Sequence, residues 1–366
     1  MLPLRSFTLF SLAAALGLRA FCATGAASSP AMQFIAADDS RFRYEGRFDT
    51  AKPAAPAVIW QGSRIAIDFE GPAATLCFEW AEGQNYFDVT VDGATTVLAV
   101  NNAKVTRFAL PATLGPGRHR LTLFKRSEAS AGHARFRGIE LPLGAHTWLP
   151  AAPNYKVKLQ FFGDSITAGA CNEDPGEDQW ENRATHNNAK SYAAMTAAAF
   201  QADYRNIAVS GIGIAAGYYP ELIGAVWDRV YPTARSPRAD LTTWAPDVIC
   251  INYGENDGSF TTVNKQSFPA AQFTKGYVAL VQAIRAAFPA AQIVLLRGGM
   301  YNGAKHEALR AAWDAAVQQL EGGDAKVHHY VFTHWSGPHP RVVDDRAMAD
   351  ELTAWLKSQE FMAAYQ

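Results

Sequence analysis

The stretch that decides the fold is Val157-Lys158-Leu159-Gln160-Phe161-Phe162-Gly163-Asp164-Ser165. Its largely apolar part, residues 157–162, has the length of a buried strand and ends directly in Gly163-Asp164-Ser165. Buried strands of this kind belong to parallel sheets that are covered on both faces. Ligands of such sheets bind at the carboxyl ends of the strands, so Ser165 is predicted at the edge where chemistry takes place.

The same strand–loop–helix pattern continues to the end of the chain. Continuous apolar strands that alternate with amphipathic helices predict a parallel sheet with helices on both faces, and hence the α/β class. The further predicted strands are residues 205–209, 248–253, 293–296 and 327–332. The predicted helices are residues 189–201, 270–288, 305–320 and 342–358.

The first half of the chain has a different pattern, made of short alternating runs that turn residues separate. This spacing, without any segment of helical period, indicates an all-β sandwich or jelly roll. The predicted strands are residues 64–70, 75–80, 86–91, 105–110, 118–125 and 134–141. Pro142, Pro150 and Pro153 suggest a linker. We therefore expect a sandwich domain at residues 31–150 and an α/β domain at residues 154–366.

Residues 1–29 have the composition of a secretory signal peptide. Arg5 supplies a positive start, residues 7–18 form an apolar run, and residues 23–29 are rich in Ala, Gly and Ser. The apolar run is too short for a spanning helix, which needs ~20 apolar residues. We therefore expect a secreted or periplasmic protein.

The charge of the chain is balanced, with 33 Lys and Arg against 34 Asp and Glu among 366 residues and a formal net charge of −1. No block of like charge stands out, so nothing indicates a nucleic-acid or membrane partner. A neutral substrate fits this balance at least as well as a charged one.

The cysteines beyond the predicted signal peptide, Cys77, Cys171 and Cys250, are too few for a disulfide framework. Cys77 and Cys250 lie in apolar, strand-like runs and are expected to be buried. Two interpretations are open for Cys171, which follows Ser165 closely. It is either a catalytic thiol that lines the site or a residue with a packing role.

Two further strand ends carry residues that can stabilise the negative charge that develops during a reaction. At Gly211, in the sequence Ser-Gly-Ile-Gly, the backbone can approach a ligand closely and direct its N–H at that charge. Asn256, in the sequence Gly-Glu-Asn-Asp, can donate a side-chain N–H in the same way. Taken singly, the motifs of Gly211 and Asn256 could be no more than turns, and Gly163-Asp164-Ser165 alone would favour a serine that caps a helix.

A serine nucleophile needs a general base, and His339 is the best placed of nine histidines. His339 and Pro340 follow the last predicted strand and precede the last predicted helix, where proline suits the first turn. His339 therefore projects from a rigid junction at the same sheet edge as Ser165. His334 is the alternative base.

Together these blocks resemble the signature of the SGNH, or GDSL-type, hydrolases. Gly163-Asp164-Ser165, Gly211, the Gly-x-Asn-Asp motif with Asn256, and His339-Pro340 occur in the family's order, each at a strand end. A sandwich in front of such a domain is similar to carbohydrate esterase family 2, whose members remove acetyl groups from plant cell-wall polysaccharides. The resemblance implies a flavodoxin-like domain with five parallel strands, and it implies neither a cofactor nor a metal.

The resemblance also implies a role for each motif. Ser165 would be the nucleophile that carries the acetyl group, and His339 would be its general base. The oxyanion would receive hydrogen bonds from the N–H groups of Ser165 and Gly211 and from the amide of Asn256.

One position departs from the family pattern, because the usual acid before the histidine is missing. SGNH enzymes commonly carry an Asp two or three residues before the His, where this chain has Gly337 and Ser336. We therefore expect a Ser–His dyad in which a main-chain oxygen within residues 335–337 orients His339. Asp345, inside the last predicted helix, is expected to be solvated.

The sequence indicates the substrate less directly than it indicates the reaction. Residues 172–188 are polar and without periodicity, so they are expected to rim the cleft. Trp335 is the stronger candidate for stacking on a sugar face and Trp180 the weaker one. The expected partner is an acetylated polysaccharide or oligosaccharide, and the expected state is a monomer.

Two other functions fit the same motifs. One is a lipid or aryl esterase of the same fold. The other is a carbohydrate-binding protein whose sandwich binds glycan and whose second half is a degenerate hydrolase.

Overall fold

The computed structural model describes residues 31–101, 104, 106–110 and 114–365, so the predicted signal peptide at residues 1–29 lies outside the described residues. The strands of the first half are β1 Met32–Ala36, β2 Arg43–Glu45, β3 Phe48–Asp49, β4 Ala57–Val58, β5 Arg64–Glu70, β6 Thr75–Gly83, β7 Tyr86–Val91, β8 Ala94–Ala99, β9 Arg107–Ala109, β10 Arg118–Lys125, β11 Gly132–Pro142 and β12 Thr147–Trp148.

These strands form two antiparallel sheets, which confirms the predicted sandwich. One sheet has the order β3-β4-β11-β6-β9, with β1 also paired to β11. The other has the order β12-β5-β10-β7-β8, with β2 also paired to β5. Alternate residues of each strand point inward. Ile65, Ile67 and Phe69 of β5 are accordingly buried, together with Phe87 of β7 and Phe136 of β11. Burial of each such side chain stabilises the sandwich by ~1.5–3 kcal/mol.

The second half contains a parallel sheet with the predicted number of strands. They are β13 Lys158–Gly163, β14 Asp203–Ala208, β15 Val248–Asn252, β16 Gln292–Met300 and β17 Val327–Ser336. The sheet has the order β14-β13-β15-β16-β17, which is the flavodoxin-like order and confirms the predicted fold. The strand order reverses between β13 and β15, so a ligand site is expected beyond their carboxyl ends.

Helices cover both faces of the parallel sheet. They are α1 Ser165–Ala168, α2 Tyr192–Ala199, α3 Glu255–Val263, α4 Ala270–Ala287, α5 Tyr301–Lys305, α6 Glu307–Glu321 and α7 Val342–Ser358, with 3₁₀ turns at Arg183–Thr185, Asn188–Lys190, Ile223–Ala225 and Glu360–Tyr365. The buried residues of α4 and α6 pack on one face, against Ile249 and Ile251 of β15. Those of α2 and α7 pack on the other face, against Val248 and Cys250.

Asp345 links α7 to the start of α2. Its carboxyl group accepts the Tyr192 N–H at 2.9 Å and the Asn172 Nδ2–H at 3.0 Å. The expectation that Asp345 is solvated is wrong, because the residue is completely buried. The predicted helix at residues 189–201 begins later, at Tyr192, because the Ser191 side chain caps it by accepting the Ala194 N–H.

The sandwich and the parallel sheet share apolar contacts. Trp60, which follows β4, is buried in the same cluster as Ile249 and Trp227, and its Nε1–H donates to the Val230 carbonyl at 2.7 Å. The described residues from position 32 onward form one compact unit, and the domain boundaries at 31–150 and 154–366 stay a prediction. Among the residues that the structure describes, no helix combines the length and the apolar character needed to cross a membrane.

Candidate active site

A cavity of about 520 Å³ opens at the carboxyl ends of the parallel strands. It is lined by Ser130, Ser165, Trp180, Arg183, Ser210, Gly211, Tyr218, Tyr219, Glu255, Asn256, Ser259, Met300 and His339. Ser165, Gly211, Asn256 and His339, which were selected from the sequence, therefore meet at one place. Ser130, which was not selected from the sequence, comes from the sandwich segment between β10 and β11, so the sandwich forms part of the cavity wall.

Ser165 begins α1 directly after β13, where its backbone N–H has no partner within the helix. Asp164 caps this helix, since its Oδ1 accepts the Ile166 N–H at 3.1 Å. Ser165 is 3% exposed, and within the described part of the chain its Oγ forms no hydrogen bond. The hydroxyl is therefore presented to the cavity without a competing partner.

Gly211 lies in the loop after β14 with a left-handed φ of +79°. A Cβ at this position would come within 3.3 Å of Tyr218 Cβ, so both the backbone and the space favour glycine. The Gly211 carbonyl accepts the N–H groups of Tyr218 at 2.8 Å and Tyr219 at 2.9 Å. Asp257 fixes the same loop by accepting the N–H groups of residues 214–216 at 2.6 to 3.0 Å. The backbone that carries the Gly211 N–H is thus held from two sides.

Asn256 is tied to the nucleophile's own turn. Its Nδ2 lies 3.1 Å from Asp164 Oδ2 and 3.0 Å from the Ile212 carbonyl oxygen. Both amide hydrogens therefore have acceptors, and donation to an oxyanion requires one of these bonds to be shared or exchanged. Burial, together with the charges of Glu255 and Asp257, raises the pKa of Asp164 well above its ordinary value. A neutral carboxyl accepts more weakly than a carboxylate, which favours that exchange.

His339 is paired with a carboxylate. Its Nδ1 lies 2.7 Å from Asp178 Oδ2, and its backbone N–H lies 3.3 Å from the same oxygen. The prediction that a main-chain oxygen within residues 335–337 orients His339 is therefore wrong. Asp178 belongs to the polar loop at residues 172–188, and the acid was missed because it was sought only next to the histidine.

Asp178 is held in its ionised form. Arg341 Nη1 lies 2.8 Å from Asp178 Oδ1. Although burial opposes ionisation, the hydrogen bond and charge of His339, together with Arg341, hold the pKa of Asp178 below its usual range. A carboxylate at Nδ1 selects the tautomer whose Nε2 is free to accept a proton, and it stabilises the imidazolium that results.

His334, the alternative base, is engaged elsewhere. Its Nε2 lies 2.8 Å from Asp344 Oδ1, and its backbone N–H donates to Glu351 Oε1 at 2.8 Å. Of the two histidines, only His339 is among the described residues that line the cavity.

The two candidate tryptophans have different surroundings. Trp180 lines the cavity and stacks on His339, with ring centroids 5.6 Å apart and planes inclined by 29°. The Arg183 guanidinium lies 4.1 Å from the centroid of the Trp180 ring. Trp335 is not among the described residues that line the cavity, and the Lys305 Nζ lies 4.3 Å from the centroid of the Trp335 ring. The structure therefore favours Trp180 over Trp335 as a substrate contact.

Cys171 is fully buried, and its Sγ lies 3.4 Å from His186 Nε2. Cys171, Asp178 and His339 each offer one potential metal-ligand atom, all within 4.8 Å of one another. A metal would need the thiolate, yet burial raises the pKa of the Cys171 thiol. A metal would also displace Arg341 or the His339 N–H from Asp178. The donor set therefore fits hydrogen-bonded support of His339 better than metal binding.

Two family profiles match the chain. Residues 44–153 match "Carbohydrate esterase 2 N-terminal", and residues 161–355 match "GDSL-like Lipase/Acylhydrolase family". The two matches cover the sandwich and the parallel-sheet half respectively.

Characterised relatives have similar sequences over most of this chain. It is 32% identical over 333 residues to the cellulase/esterase CelE of Acetivibrio thermocellus, a match that covers 88% of this chain and 40% of that protein. It is 28% identical over 328 residues to an acetylxylan esterase / glucomannan deacetylase of Cellvibrio japonicus, covering 84% and 87%. The chain thus spans less than half of the first relative and most of the second.

A solved structure has a similar fold. It is a family two carbohydrate esterase from Clostridium thermocellum in complex with cellohexaose, with a TM-score of 0.75 and 32% identity. The superposition covers 86% of this chain and 98% of that one.

Proposed function

The chain belongs to carbohydrate esterase family 2, within the GDSL-like hydrolases, and is an esterase by class; we propose that it is a secreted enzyme that removes acetyl groups from cell-wall polysaccharides such as xylan and glucomannan. One observation carries the proposal, namely that Ser165, Gly211, Asn256 and His339 line a single cavity. Secretion rests on the sequence of residues 1–29.

In the first step, His339 Nε2 accepts the Ser165 hydroxyl proton as Oγ attacks the acetyl carbonyl carbon. The carbonyl oxygen becomes an oxyanion and accepts hydrogen bonds from the backbone N–H groups of Ser165 and Gly211. The Asn256 amide joins them once one of its internal bonds has been exchanged. The Asp178 carboxylate balances the positive charge that has formed on His339.

The intermediate then collapses, and the bond between the acetyl carbon and the sugar oxygen breaks. The His339 imidazolium gives its proton to that sugar oxygen, which leaves an acetyl group on Ser165. In the second half-reaction, a water molecule transfers a proton to His339 and attacks the acetyl-enzyme. Collapse of this intermediate releases acetate, and the proton returns to Ser165 Oγ.

The contact between His339 and Asp178 replaces the expected dyad with a proposed Ser165–His339–Asp178 triad. A main-chain oxygen can fix the tautomer of His339, but it offers less stabilisation of the imidazolium than a carboxylate. His339 and Arg341 together lower the pKa of Asp178 and so keep this carboxylate ionised near neutral pH.

The cavity walls offer both aromatic surface and hydroxyl groups, a combination that suits a sugar. Trp180, Tyr218 and Tyr219 supply aromatic surface, and Ser130 and Ser259 supply hydroxyl groups. A mainly apolar wall with a few polar groups is typical of small-molecule sites. The names of the Cellvibrio japonicus relative and the ligand of the Clostridium thermocellum structure support a polysaccharide substrate. The enzyme is proposed to act as a monomer.

The test is acetate release from acetylated xylan and acetylated glucomannan, with long-chain acyl esters assayed in parallel. We expect the wild type to prefer the acetylated polysaccharides and S165A to lose at least ~10³-fold in kcat. S358A, which removes an exposed serine of α7 outside the cavity lining, is the matched control and should retain activity.

Two outcomes would contradict the proposal. A preference for long-chain esters would indicate a lipid esterase. Binding of glycan without any acetate release would indicate a carbohydrate-binding protein.

A further inference from the structure

A buried carboxylate of the sandwich lies between two parts of the proposed catalytic apparatus. Glu128 belongs to the segment of residues 126–131 that joins β10 to β11, and it is 1% exposed. We propose that Glu128 is a positioning residue. It fixes the loop that carries Gly211 relative to the Trp180 ring on which His339 stacks. The inference rests on the proposed esterase function and adds a role for the sandwich.

The first contact of Glu128 is with the oxyanion loop. Its Oε2 accepts the backbone N–H of Ser210 at 2.9 Å. Ser210 directly precedes Gly211, so this bond fixes the peptide unit immediately before the one whose N–H is the proposed oxyanion donor. Tyr218 and Tyr219 hold the Gly211 carbonyl on the other side. A donor that is fixed before the reaction needs no reorganisation when charge develops.

The second contact of Glu128 leads to the general base. Its Oε1 accepts a hydrogen bond from Arg183 Nη1 at 3.1 Å. The same guanidinium lies over the Trp180 ring at 4.1 Å, and Trp180 stacks on His339. A guanidinium held by a carboxylate on one side and an aromatic face on the other has little freedom to move. Glu128 therefore restrains the plane on which the His339 ring rests.

The segment that carries Glu128 is itself anchored. The Ala129 N–H donates to Gln61 Oε1 at 3.1 Å, and Gln61 Nε2 donates to the Ala208 carbonyl, at the end of β14, at 2.9 Å. On the sandwich side, the buried Lys125 Nζ donates to the carbonyls of Ser127 at 3.1 Å and Gly132 at 3.2 Å. These bonds anchor the segment on both sides of Glu128, so the sandwich fixes the position of the Glu128 carboxylate.

A purely structural ion pair would have a different consequence. Removal of one partner of a buried pair lowers stability, because the other charge is left uncompensated. It would not change turnover in the molecules that remain folded. A positioning role predicts a fall in kcat, since a misplacement of about 1 Å in a catalytic group costs up to ~10²-fold.

The experiment compares E128Q with wild type in acetate release and in hydrolysis of 4-nitrophenyl acetate. Glutamine has one acceptor oxygen and so keeps only one of the two contacts. We expect kcat to fall ~10- to 100-fold, with KM changed by less than ~3-fold, because Glu128 is buried and does not line the cavity.

D68N is the matched control. Asp68 is another buried sandwich carboxylate, and it is paired with Arg118 and Arg120. D68N should lower thermal stability and leave kcat within ~2-fold of wild type. A kcat of E128Q within that same range would overturn the proposal. So would a rise in KM at constant kcat, which would make Glu128 a substrate contact.

E128M/R183M keeps the proposal testable if E128Q fails to fold. Replacing both partners with methionine leaves no unpaired charge, a change that buried pairs often tolerate. We expect its kcat to fall at least ~10-fold, and a kcat near that of wild type would overturn the proposal. A wild-type enzyme that releases no acetate from any substrate would instead overturn the proposed function, and with it the role of Glu128.

Discussion

His339 Nδ1 and Asp178 Oδ2 lie 2.7 Å apart, and 161 positions of sequence separate the two residues. The base follows the last strand of the sheet, and the acid lies on the loop that follows the nucleophile's helix. The acid therefore comes from the chain segment that follows the nucleophile, and not from the residues next to the base.

Asp178→Asn should be more damaging than loss of a single hydrogen bond. The asparagine amide can donate to Nδ1, which selects the tautomer whose Nε2 already carries hydrogen and cannot accept the Ser165 proton. We expect kcat for acetate release to fall ~10²- to 10⁴-fold, with KM changed by less than ~3-fold. E177Q removes the exposed carboxylate one position earlier and should behave like wild type. Near-normal turnover of D178N would mean that Asp178 does not orient the base.

Asn256→Ala tests the side-chain oxyanion donor. Loss of one such donor typically lowers kcat ~10²- to 10³-fold, so the variant should be severely impaired but measurable. Asn264 at the end of α3, whose Nδ2 donates to the Phe260 carbonyl at 2.8 Å, provides a matched control in N264A. If N256A and N264A have equal kcat, the amide of Asn256 has no part in the reaction.

Trp180→Ala and Trp335→Ala should separate the two candidate stacking residues. Trp180 supports His339 and borders the cavity, so its loss should lower kcat/KM ~2- to 10-fold, the range of one aromatic contact. W335A should stay within ~2-fold of wild type, because Trp335 contacts Lys305 outside the cavity lining. Steady-state rates on an acetylated oligosaccharide decide between them, and the opposite ranking would restore Trp335 as the sugar contact.

Asp345 should make stability depend on pH. Burial raises its pKa to about 8, so the folded chain keeps this proton through a pH range in which the unfolded chain, with a carboxyl pKa of ~3.9, has lost it. The stabilisation is therefore complete below about pH 4 and is lost as the pH rises to about 8, by at most ~1.4 kcal/mol per pH unit. Urea unfolding at several pH values should show that wild type loses stability relative to D345N across this window. A constant difference would contradict the assignment.

The fold was predictable wherever local pattern determines the element. The predicted strands at residues 64–70, 86–91 and 118–125 coincide with β5, β7 and β10, because turn residues bound each alternating run. The last strand was predicted to end at residue 332 but continues to Ser336. Its pairing with β16 resumes after an irregularity, with Trp335 opposite Gly299. A break in strand register has no periodic signature, so the sequence could not reveal this continuation.

The site was predictable only in part, for a related reason. Ser165, Gly211, Asn256 and His339 each follow a strand, and parallel strands bring their carboxyl ends to one edge. Asp178 lies in a loop without periodicity. Distant contacts at both ends of that loop set its path, such as the bond from Asn172 Nδ2 to Asp345 at 3.0 Å. Such contacts are tertiary, and no local pattern encodes them.

The segment of residues 126–131, which brings Ser130 to the cavity wall, has a consequence for the exchange of domains between enzymes. The two halves of the chain match separate family profiles, so an engineer could try to exchange one half between related enzymes. A hydrolase half grafted onto a foreign sandwich would keep Ser165, His339 and Asp178 but would lose the wall at Ser130 and both contacts of Glu128. A working chimera would therefore have its crossover points outside this segment, so that the joining segment is inherited together with the hydrolase half.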